Sequence, residues 1–543
     1  MQVNGADKTS RSAAGKSGPE EKAKTEEAEA SDTIFANDTA SSSSSSSSYL
    51  GNLLVVPMDG SHWVGMKAIA QEMGRRGHRV TVVIPEVSIR MGPGKYYDTE
   101  IHPVPYDRAY IDSVASAHKD MMQKSSQSFM VRTKKRFSHI LKVIDLIHGT
   151  AESLLFNDKD SSLFSFPPSY SFTLQGFDAV LTDPMVPTGS LIARKLGIPT
   201  INLLRGIPFS LDVNSAGCPS PPSYVPRFFT GYSDKMSFKE RVVNTLVSVY
   251  RHIYTERFKK SQSHIQVNIV ILCLNRIDLI LEFPRPLMPN MVLVGGINCN
   301  VRNPLPEVRA LSSWVSGEFG FVVFTLGTMV SDLPEEKTSI FLEAFRQIPQ
   351  KVIWRYTGQV PDNVPENVKM MGWVPQNDLL AHPGARAFIT HAGSHGIFEG
   401  LCHAVPMVMM PIGADQHHNA QRLADKGAGV VVDIFSITTE SLLQGLNEVL
   451  HDVRYKEDVQ KLSALHKDRP VEPLDLSVYW TEYVMRHKGA KHLKPAGIDL
   501  NWIQYFCLDV IALLASVVLL FGILIVKCMK LCFRKLSRKR KRD

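Results

Sequence analysis

Short apolar runs alternate with amphipathic helical patterns from Asn52 to about residue 490. Twelve runs have the length and composition of strands: residues 52–57, 80–85, 179–184, 199–204, 267–274, 291–296, 320–327, 351–356, 368–373, 387–393, 406–411 and 429–434. These runs are continuous rather than alternating, which is typical of parallel strands buried on both faces. The stretches between them, such as MKAIAQEMGRRGH and SIFLEAFRQIP, place apolar residues at helical spacing. The pattern predicts an α/β protein with doubly wound parallel sheets.

A polar break that contains proline divides these elements into two groups. Twelve strands are more than one sheet usually holds, and residues 298–306, NCNVRNPLP, have the composition of a linker. We therefore predict two Rossmann-like domains that face a cleft, residues 49–300 and residues 301–490. In such sheets ligands bind beyond the carboxyl ends of the strands.

Residues 1–48 differ in composition from the rest of the chain. They are rich in alanine, serine and charged residues and end in eight serines, so they are predicted to be disordered. They lack the apolar stretch of a signal peptide. Because the composition changes abruptly at Gly51, we expect this segment to come from an incorrect or alternative first exon.

The C-terminal end has the pattern of a membrane anchor. After a juxtamembrane segment at residues 491–509, residues 510–526 read VIALLASVVLLFGILIV and are predicted to span a bilayer as one helix. Residues 527–543 carry nine Lys or Arg and one Asp, which places this tail in the cytoplasm. Its end, KRKRD, resembles a dilysine signal for retrieval to the endoplasmic reticulum and also fits a stop-transfer cluster.

Charge and cysteine usage exclude two classes of function. Outside the tail the chain holds 52 basic and 52 acidic residues, so its net charge does not indicate nucleic-acid binding. The seven cysteines form no CxxC and no Cys/His spacing typical of a metal site. We predict that Cys218, Cys273, Cys299 and Cys402 are reduced core residues. The other three, Cys507, Cys528 and Cys532, lie in or beside the membrane segment.

The sequence HAGSHG at residues 391–396 follows one of the apolar runs and precedes a helical pattern. A helix N-terminus presents unpaired N–H groups and a partial positive charge, which suits a phosphate. The candidate phosphate-binding residues are His391, Gly393, Ser394, His395 and Gly396. Ordinary turn chemistry between a strand and a helix is the alternative.

The neighbouring motifs favour a nucleotide sugar as the ligand. Trp373 offers a face for a planar base, and Gln376 offers it a donor and an acceptor. Glu399 can accept hydrogen bonds from ribose hydroxyls, and Asp415 with Gln416 can bind the hydroxyls of a sugar. Further candidates on the donor side are Thr328, Arg276 and Asn377. Asn377 is equally suited to capping the helix that starts beside it.

From Trp373 to Gln416 the chain resembles the signature of UDP-glycosyltransferases, in particular the animal UDP-glucuronosyltransferases that share one C-terminal half. The stretches FPRPLMPNMVLVGGIN, IWRYTG and LHKDRPVEPLDL carry the same resemblance. It implies a GT-B fold, one C-terminal membrane helix and a catalytic part in the lumen of the endoplasmic reticulum. It also implies transfer of glucuronic acid from UDP-glucuronic acid, the co-substrate, to small lipophilic acceptors. We expect no cofactor and no required metal, since the motifs assigned to the cleft include no DxD motif and no His/carboxylate metal set.

The same resemblance assigns the catalytic base to His62, in the loop after the first strand, and its carboxylate partner to Asp183. Without the resemblance, a solvated loop histidine and an aspartate that starts a turn are the commoner interpretations. Acceptor binding is expected to use residues 86–175 and 207–260, whose aromatic and proline residues suit a lipophilic pocket and equally suit loop packing. Two alternatives stay open: the same fold acting on another UDP-sugar, such as glucose, xylose or N-acetylglucosamine, or a non-catalytic partner in an oligomer. Association with copies of itself or with related transferases also stays open.

Overall fold

The computed structural model describes most of the chain beyond residue 48. The described residues are 49–114, 142, 145–147, 149–151, 154, 176–186, 188–204, 216–227, 230–261, 272–276, 278–299, 309–327, 330, 332–413 and 415–539. The predicted disorder of residues 1–48 lies outside them.

Seven parallel strands form the first sheet, in the order β3-β2-β1-β4-β5-β6-β7. The strands are β1 (Asn52–Val56), β2 (Arg79–Pro85), β3 (Asp98–His102), β4 (Ala179–Thr182), β5 (Thr200–Leu204), β6 (Leu272–Asn275) and β7 (Met291–Leu293). Helices α1 (Ser61–Arg75), α2 (Thr188–Leu196) and α3 (Phe238–Ser261) belong to the same part of the chain. The order reverses between β1 and β4, so the carboxyl ends of these two strands lie side by side at a switch point.

Six parallel strands form the second sheet, in the order β10-β9-β8-β11-β12-β13. The strands are β8 (Phe321–Thr325), β9 (Lys351–Arg355), β10 (Val368–Met371), β11 (Ala385–Thr390), β12 (Met407–Met409) and β13 (Gly429–Val431). The helices are α4 (Arg309–Val315), α5 (Glu335–Arg346), α6 (Gln376–Leu380), α7 (Ser394–Cys402), α8 (Gln416–Asp425), α9 (Thr439–His451) and α10 (Val453–Lys467). Here the order reverses between β8 and β11, which again opens a crevice at their carboxyl ends.

An aromatic cluster holds one face of the second sheet. Phe324 of β8 stacks on Trp354 of β9 with ring centroids 4.8 Å apart, and Phe341 of α5 lies 4.7 Å from Phe324. All three side chains are buried. Truncating such a residue to alanine typically costs about 3–5 kcal/mol, so this cluster fixes β8 and β9, whose ends contribute to the site.

The chain then returns to the first domain. Helix α11 (Pro473–Arg486) packs on α1 and β4, and Asp475 of α11 pairs with Arg76. His78 bonds Glu482 at 3.2 Å, and Lys488 pairs with Asp178 just before β4. The second Rossmann-like unit is thus followed by a helix that belongs, by its contacts, to the first.

The last helices follow this crossover. They are α12 (Trp502–Tyr505) and α13 (Leu508–Lys539), after two short 3₁₀ turns at Lys491–Leu493 and Ala496–Ile498. Residues Leu508–Arg538 have a mean hydropathy of 2.8 over their most apolar 18 residues, enough to span a membrane. The helix therefore includes the predicted span at 510–526 and runs into the basic tail.

Each of the twelve predicted strands overlaps a strand of the described residues, and residues 267–271 of the predicted strand 267–274 lie outside the described part of the chain. The residue interval between β7 and β8 contains the predicted boundary at 300/301, although the domain bounds themselves stay predictions. One strand was missed: β3 reads DTEIH, and an edge strand that is half exposed does not show a continuous apolar run.

Candidate active site

His62 and Asp183 meet at the switch point of the first sheet. His62 Nδ1 lies 2.6 Å from Asp183 Oδ2, although 121 residues separate them in sequence. Asp183 directly follows β4 and is 2% exposed, while the His62 side chain is 16% exposed. The predicted pairing is therefore present in the geometry. We predicted His62 in a loop, but it is the second residue of α1. The loop ends at Gly60, which is the N-cap of α1 and has a φ of 77°.

Asp183 also starts a turn, which was the alternative interpretation of this residue. Its Oδ1 accepts a hydrogen bond from the Met185 N–H at 2.9 Å, and its backbone oxygen accepts one from Val186 N–H at 3.1 Å. One carboxyl oxygen thus fixes the turn and the other faces the imidazole. The turn holds the carboxylate in place for the histidine, so the two interpretations are compatible.

Arg276 connects this pair to the second domain. Its guanidinium lies against the backbone of Gly65, one turn of α1 beyond His62, where a Cβ atom would be 2.7 Å from Arg276 Nη1. Arg276 Nη2 lies 2.9 Å from Nε2 of His395 in α7. Asn298 Nδ2 approaches the same ring at 3.4 Å. The structure therefore directs His395, which we predicted as a phosphate ligand, toward first-domain side chains.

The turn between β11 and α7 has the form of an anion site. Gly393 is the N-cap of α7, and Ala392 before it has a φ of 60°. The ring of His391 lies between Gly327 and Gly393, since a Cβ atom at either glycine would be within 2.5 Å of that ring. Ser394 Oγ is buried and makes no hydrogen bond to any other described residue. Its hydroxyl and the free N–H groups of the first turn remain for a ligand.

Gln376 and Glu399 bind each other in the structure. Gln376 Nε2 donates to Glu399 Oε2 at 2.5 Å, and Thr325 Oγ1 donates to the amide oxygen of Gln376. Burial raises the pKa of Glu399 to about 7, against the lowering effect of the Gln376 hydrogen bond and with a further rise from Asp378. The predicted base-binding and ribose-binding residues are thus neighbours, held by a threonine at the end of β8.

Trp373 and Asn377 lie on either side of Gln376 in sequence and differ in environment. Trp373 is 60% exposed, which leaves a face of its indole open. Asn377 does not cap α6 among the described residues, because it is already inside the helix. Its Oδ1 accepts a hydrogen bond from His403 Nε2 at 2.9 Å instead. The capping alternative for Asn377 is therefore wrong.

Asp415 and Gln416 shape the loop after β12. Gln416 Oε1 accepts hydrogen bonds from the N–H groups of Ile412 at 2.7 Å and Gly413 at 3.0 Å. Asp415 Oδ2 accepts one from Asn419 Nδ2 at 3.0 Å. Both residues are half-buried, and the oxygen atoms that we predicted for sugar hydroxyls are partly used by the loop itself.

Two residues that sequence reasoning missed support these loops. Asn419 Nδ2 also donates to the Ala392 oxygen at 3.1 Å, which joins the Asp415 loop to the turn before α7. Arg355 at the end of β9 donates to the Gly327 oxygen beside His391. An asparagine at the fourth position of a helix carries no sequence signal, but an arginine that ends a buried strand could have been noticed.

Some predicted residues lie outside the described part of the chain. Thr328 is one of them, although its neighbour Gly327 is placed. The acceptor region predicted at 86–175 and 207–260 lies outside it in large part, since residues 115–141, 155–175 and 205–215 are not described. The acceptor pocket therefore stays a prediction.

The prediction of reduced cysteines was wrong for one pair. Cys299 and Cys402 form a disulfide across 103 residues, while Cys218 and Cys273 are buried thiols outside any disulfide, as predicted. The fold also places His466 beside the pair, with its ligating atom and both sulfurs within 4.8 Å of one another. The sequence spacing of these three residues resembles no known motif, so only the fold reveals the cluster.

Comparison with known sequences gives long matches. A sequence model of the family described as "UDP-glucoronosyl and UDP-glucosyl transferase" matches residues 51–543. Human UDP-glucuronosyltransferase 1A6 is 44% identical over 503 residues, which are 90% of this chain and 93% of that protein. Human UDP-glucuronosyltransferase 1A1 is 42% identical over 509 residues, 91% of this chain and 94% of that protein.

Comparison with solved structures gives the same architecture. Os79 from O. sativa in complex with U2F and trichothecene has a TM-score of 0.55 at 16% identity and covers 80% of this chain and 100% of its own. Arabidopsis thaliana UGT89C1 complexed with UDP has a TM-score of 0.52 at 16% identity, with 80% and 99% covered. At these identities the likeness shows the fold, two facing Rossmann-like domains of the GT-B type.

Proposed function

The chain belongs to the UDP-glucoronosyl and UDP-glucosyl transferase family, and on that basis we propose that it is a UDP-glucuronosyltransferase. It moves glucuronic acid from UDP-glucuronic acid to hydroxyl, amine or carboxyl groups of small lipophilic acceptors and releases UDP. The long matches to animal UDP-glucuronosyltransferases support this donor and this reaction. The two domains divide the work: the first supplies the base, and the second binds the donor.

His62 is the general base for the acceptor. A hydroxyl is a poor nucleophile at neutral pH, and an imidazole can take its proton as the oxygen attacks. Because Asp183 faces Nδ1, it holds the proton there and leaves Nε2 with the lone pair that the reaction needs. The carboxylate then stabilises the imidazolium that forms. The acceptor oxygen displaces UDP in one step with inversion, so an α-linked donor gives a β-glucuronide.

The second domain binds the donor from base to sugar. Trp373 stacks on the uracil, Gln376 bonds its edge, and Glu399 accepts from the ribose hydroxyls. The diphosphate lies at the N-terminus of α7, where Ser394, His391 and the N–H groups from Gly393 to Gly396 donate to it. The hydroxyls of the sugar meet Asp415 and Gln416, and Thr328 and Asn377 are further contacts on the donor side.

One observation carries the proposal: Arg276 touches both halves of the site. It packs against Gly65 of α1, one helical turn after His62, and bonds His395 of α7, which supports one cleft for the base and the donor turn. A cation at that place faces the charge that builds on the leaving diphosphate. His395 positions Arg276 in this scheme rather than touching the phosphate.

The chain acts at a membrane, to which α13 anchors it. The basic tail supports a cytoplasmic C-terminus and therefore a catalytic part in the lumen of the endoplasmic reticulum. The disulfide between Cys299 and Cys402 supports the same orientation, because such bonds persist in oxidising compartments. The mechanism uses no metal ion, and association with copies of itself or with related transferases is compatible with it.

The test is product formation in membranes that express the chain behind a functional signal peptide. A panel of small phenols is supplied with UDP-glucuronic acid, UDP-glucose, UDP-xylose or UDP-N-acetylglucosamine, in parallel with His62→Ala. A β-glucuronide from UDP-glucuronic acid alone, lost in the variant, is expected. Transfer of another sugar would replace the donor but keep the mechanism. A folded protein that binds UDP and turns over no donor would instead be the non-catalytic partner.

A further inference from the structure

Helix α7 carries much of the proposed donor site on its first turns and a disulfide on its last residue. Ser394 and Glu399 are two of its donor-side residues, and Cys402 ends it. Eight residues separate Ser394 from Cys402, a rise of about 12 Å along the axis. Because α7 is short and rigid, fixing the position of Cys402 also restricts the orientation of its N-terminal, diphosphate-binding end.

The opposite half of that constraint belongs to the first domain. Cys299 follows β7, and its Cα lies 6.1 Å from that of Cys402. The residue before it, Asn298, reaches His395 near the other end of α7, and Arg276 reaches the same histidine. His395 and Cys402 are seven residues apart, so they lie on one face of the helix. The first domain thus holds α7 at both ends of one face, by polar contacts at the diphosphate end and by a covalent bond at the other.

A hydrogen-bonded cluster around His466 packs beside the Cys299–Cys402 disulfide. The ring of His466 in α10 packs on Phe398, with centroids 5.5 Å apart, on the same face of α7. His466 Nδ1 lies 2.6 Å from Asp278 Oδ2, and Arg469 Nη2 is 3.3 Å from the same carboxyl oxygen. These contacts tie α10 to the first domain at Asp278.

Gly296 lets His466 and the disulfide approach each other. Its φ is +83°, and a Cβ atom there would lie 2.5 Å from His466 Nε2 and 2.9 Å from Cys299 Sγ. Cys299 and Cys402 are 3% and 1% exposed. Both cysteines are thus shielded from solvent, which fits a structural brace.

We propose that the Cys299–Cys402 disulfide positions the donor helix, holding α7 in the orientation that binds the diphosphate and ribose of the UDP-sugar. This rests on the proposed function, which places the donor at α7. The bond forms when two thiols give two electrons and two protons to a disulfide oxidant of the compartment, and a dithiol reductant reverses it. With the bond open, α7 keeps its core packing and its polar contacts to the first domain but loses the covalent link, and it occupies the competent orientation for part of the time.

The expected effect falls on donor binding alone. If the competent orientation is populated about one-tenth of the time without the bond, the apparent Kd for UDP rises about tenfold. The KM for the donor rises in parallel, while kcat at saturating donor and the KM for the acceptor stay within about twofold. A general loss of folding would instead lower the apparent kcat through a smaller active fraction and would not raise the donor KM selectively.

The experiment compares full-length wild type, the double variant Cys299→Ser/Cys402→Ser and the control Cys273→Ala in detergent-solubilised membranes. Cys273 is a buried thiol of β6 outside the disulfide, and it matches the pair in burial. UDP affinity is measured by calorimetry with and without dithiothreitol. The double variant and reduced wild type are expected to show the same weakened Kd, the double variant to ignore the reductant, and the control to behave as wild type.

Three results would overturn the proposal. One is an unchanged Kd in both the double variant and reduced wild type, and a second is a fall in kcat with equal changes in both KM values. The third is the absence of a Cys299–Cys402 cross-linked peptide in unreduced digests by mass spectrometry. If the double variant does not fold, reduced wild type and the peptide map still decide. A wild type that binds UDP and makes no glucuronide would refute the proposed function, yet its Kd for UDP would still test the brace.

Discussion

Replacing Asp183 by asparagine changes one atom and tests the whole proposed base mechanism. In the wild type Oδ1 accepts from the Met185 N–H and Oδ2 faces His62 Nδ1. An asparagine whose oxygen keeps the Met185 bond presents its NH₂ group to the histidine. His62 Nδ1 must then accept a hydrogen bond, so the ring proton moves to Nε2 and the base loses its lone pair.

The size of the loss can be worked from this geometry. With charge centres about 4 Å apart and an effective dielectric of about 20, carboxylate and imidazolium attract by about 4 kcal/mol. A neutral hydrogen bond in the variant recovers about 1 kcal/mol of that. The remaining 3 kcal/mol or so corresponds to about a 10²-fold lower kcat. The wrong tautomer adds to this, and we expect a total loss of about 10³-fold, within the usual range of general-base assistance of about 10²–10⁴.

The assay is glucuronide formation from UDP-glucuronic acid and a small phenol, with both substrates varied. The matched control is Asp178→Asn, the same substitution at the opposite end of β4, where Asp178 accepts from the Asn52 N–H at 2.8 Å. We expect the control to retain activity within about threefold, since it is far from the proposed chemistry. UDP affinity should be the same in all three proteins, because neither aspartate touches the proposed donor site.

A kcat for Asp183→Asn within tenfold of wild type, in a protein that folds and binds UDP, would refute the reasoning. His62 would then need no carboxylate, and its 2.6 Å contact would be a structural one. A large loss in the Asp178→Asn control would equally show that strand β4, and not the charge on Asp183, controls the activity.

The other predictions concern the donor site and the disulfide. Because the pKa of Glu399 is raised to about 7 and ribose hydroxyls need the ionised carboxylate, UDP affinity should rise about tenfold from pH 6 to pH 8. Calorimetry across this range should show no such rise in Glu399→Gln. Gly65→Ala places a Cβ atom 2.7 Å from Arg276 Nη1 and should raise the donor KM about tenfold, whereas Gly92→Ala, with open space around it, should not. Treatment with EDTA should leave the rate of transfer unchanged within about twofold, and a metal requirement would contradict the mechanism. Reducing the Cys299–Cys402 bond should lower the free energy of unfolding by about 2–5 kcal/mol, measured by denaturant titration with and without reductant.

The sequence predicted the strands and the proximity of several site residues because both follow from local patterns. A buried parallel strand is a continuous apolar run, and its carboxyl end is a place for ligands, so the turn at His391 could be identified before its geometry was known. The pair His62 and Asp183 came from family resemblance, since nothing in either local sequence indicates a contact across 121 residues.

The features that the sequence did not predict depend on which long-range neighbours a side chain meets. His395 was predicted as a phosphate ligand, and its contacts with Arg276 and Asn298 were not predicted. Gln376 and Glu399 were assigned to different parts of one ligand, and the hydrogen bond between their side chains was not predicted. Cys299 and Cys402 have no motif, and only the packing of the segment after β7 on α7 brings them together. Side-chain partners of this kind are set by tertiary contacts, for which periodicity carries no information.

The crossover of α11 has a consequence for how the protein is made. All seven strands of the first sheet have been synthesised once β7 is complete. Helix α11, which covers a face of α1 and β4, is complete only roughly 190 residues later. At about 5–20 residues per second this leaves that face open for roughly 10–40 s during synthesis. During that interval Asp475, Glu482 and Lys488 have not yet been synthesised. These residues later pair with Arg76, His78 and Asp178 of the first domain. A chain that stops before Pro473 never closes the face, so we expect early termination even close to the C-terminus to leave a client for chaperones rather than a smaller enzyme.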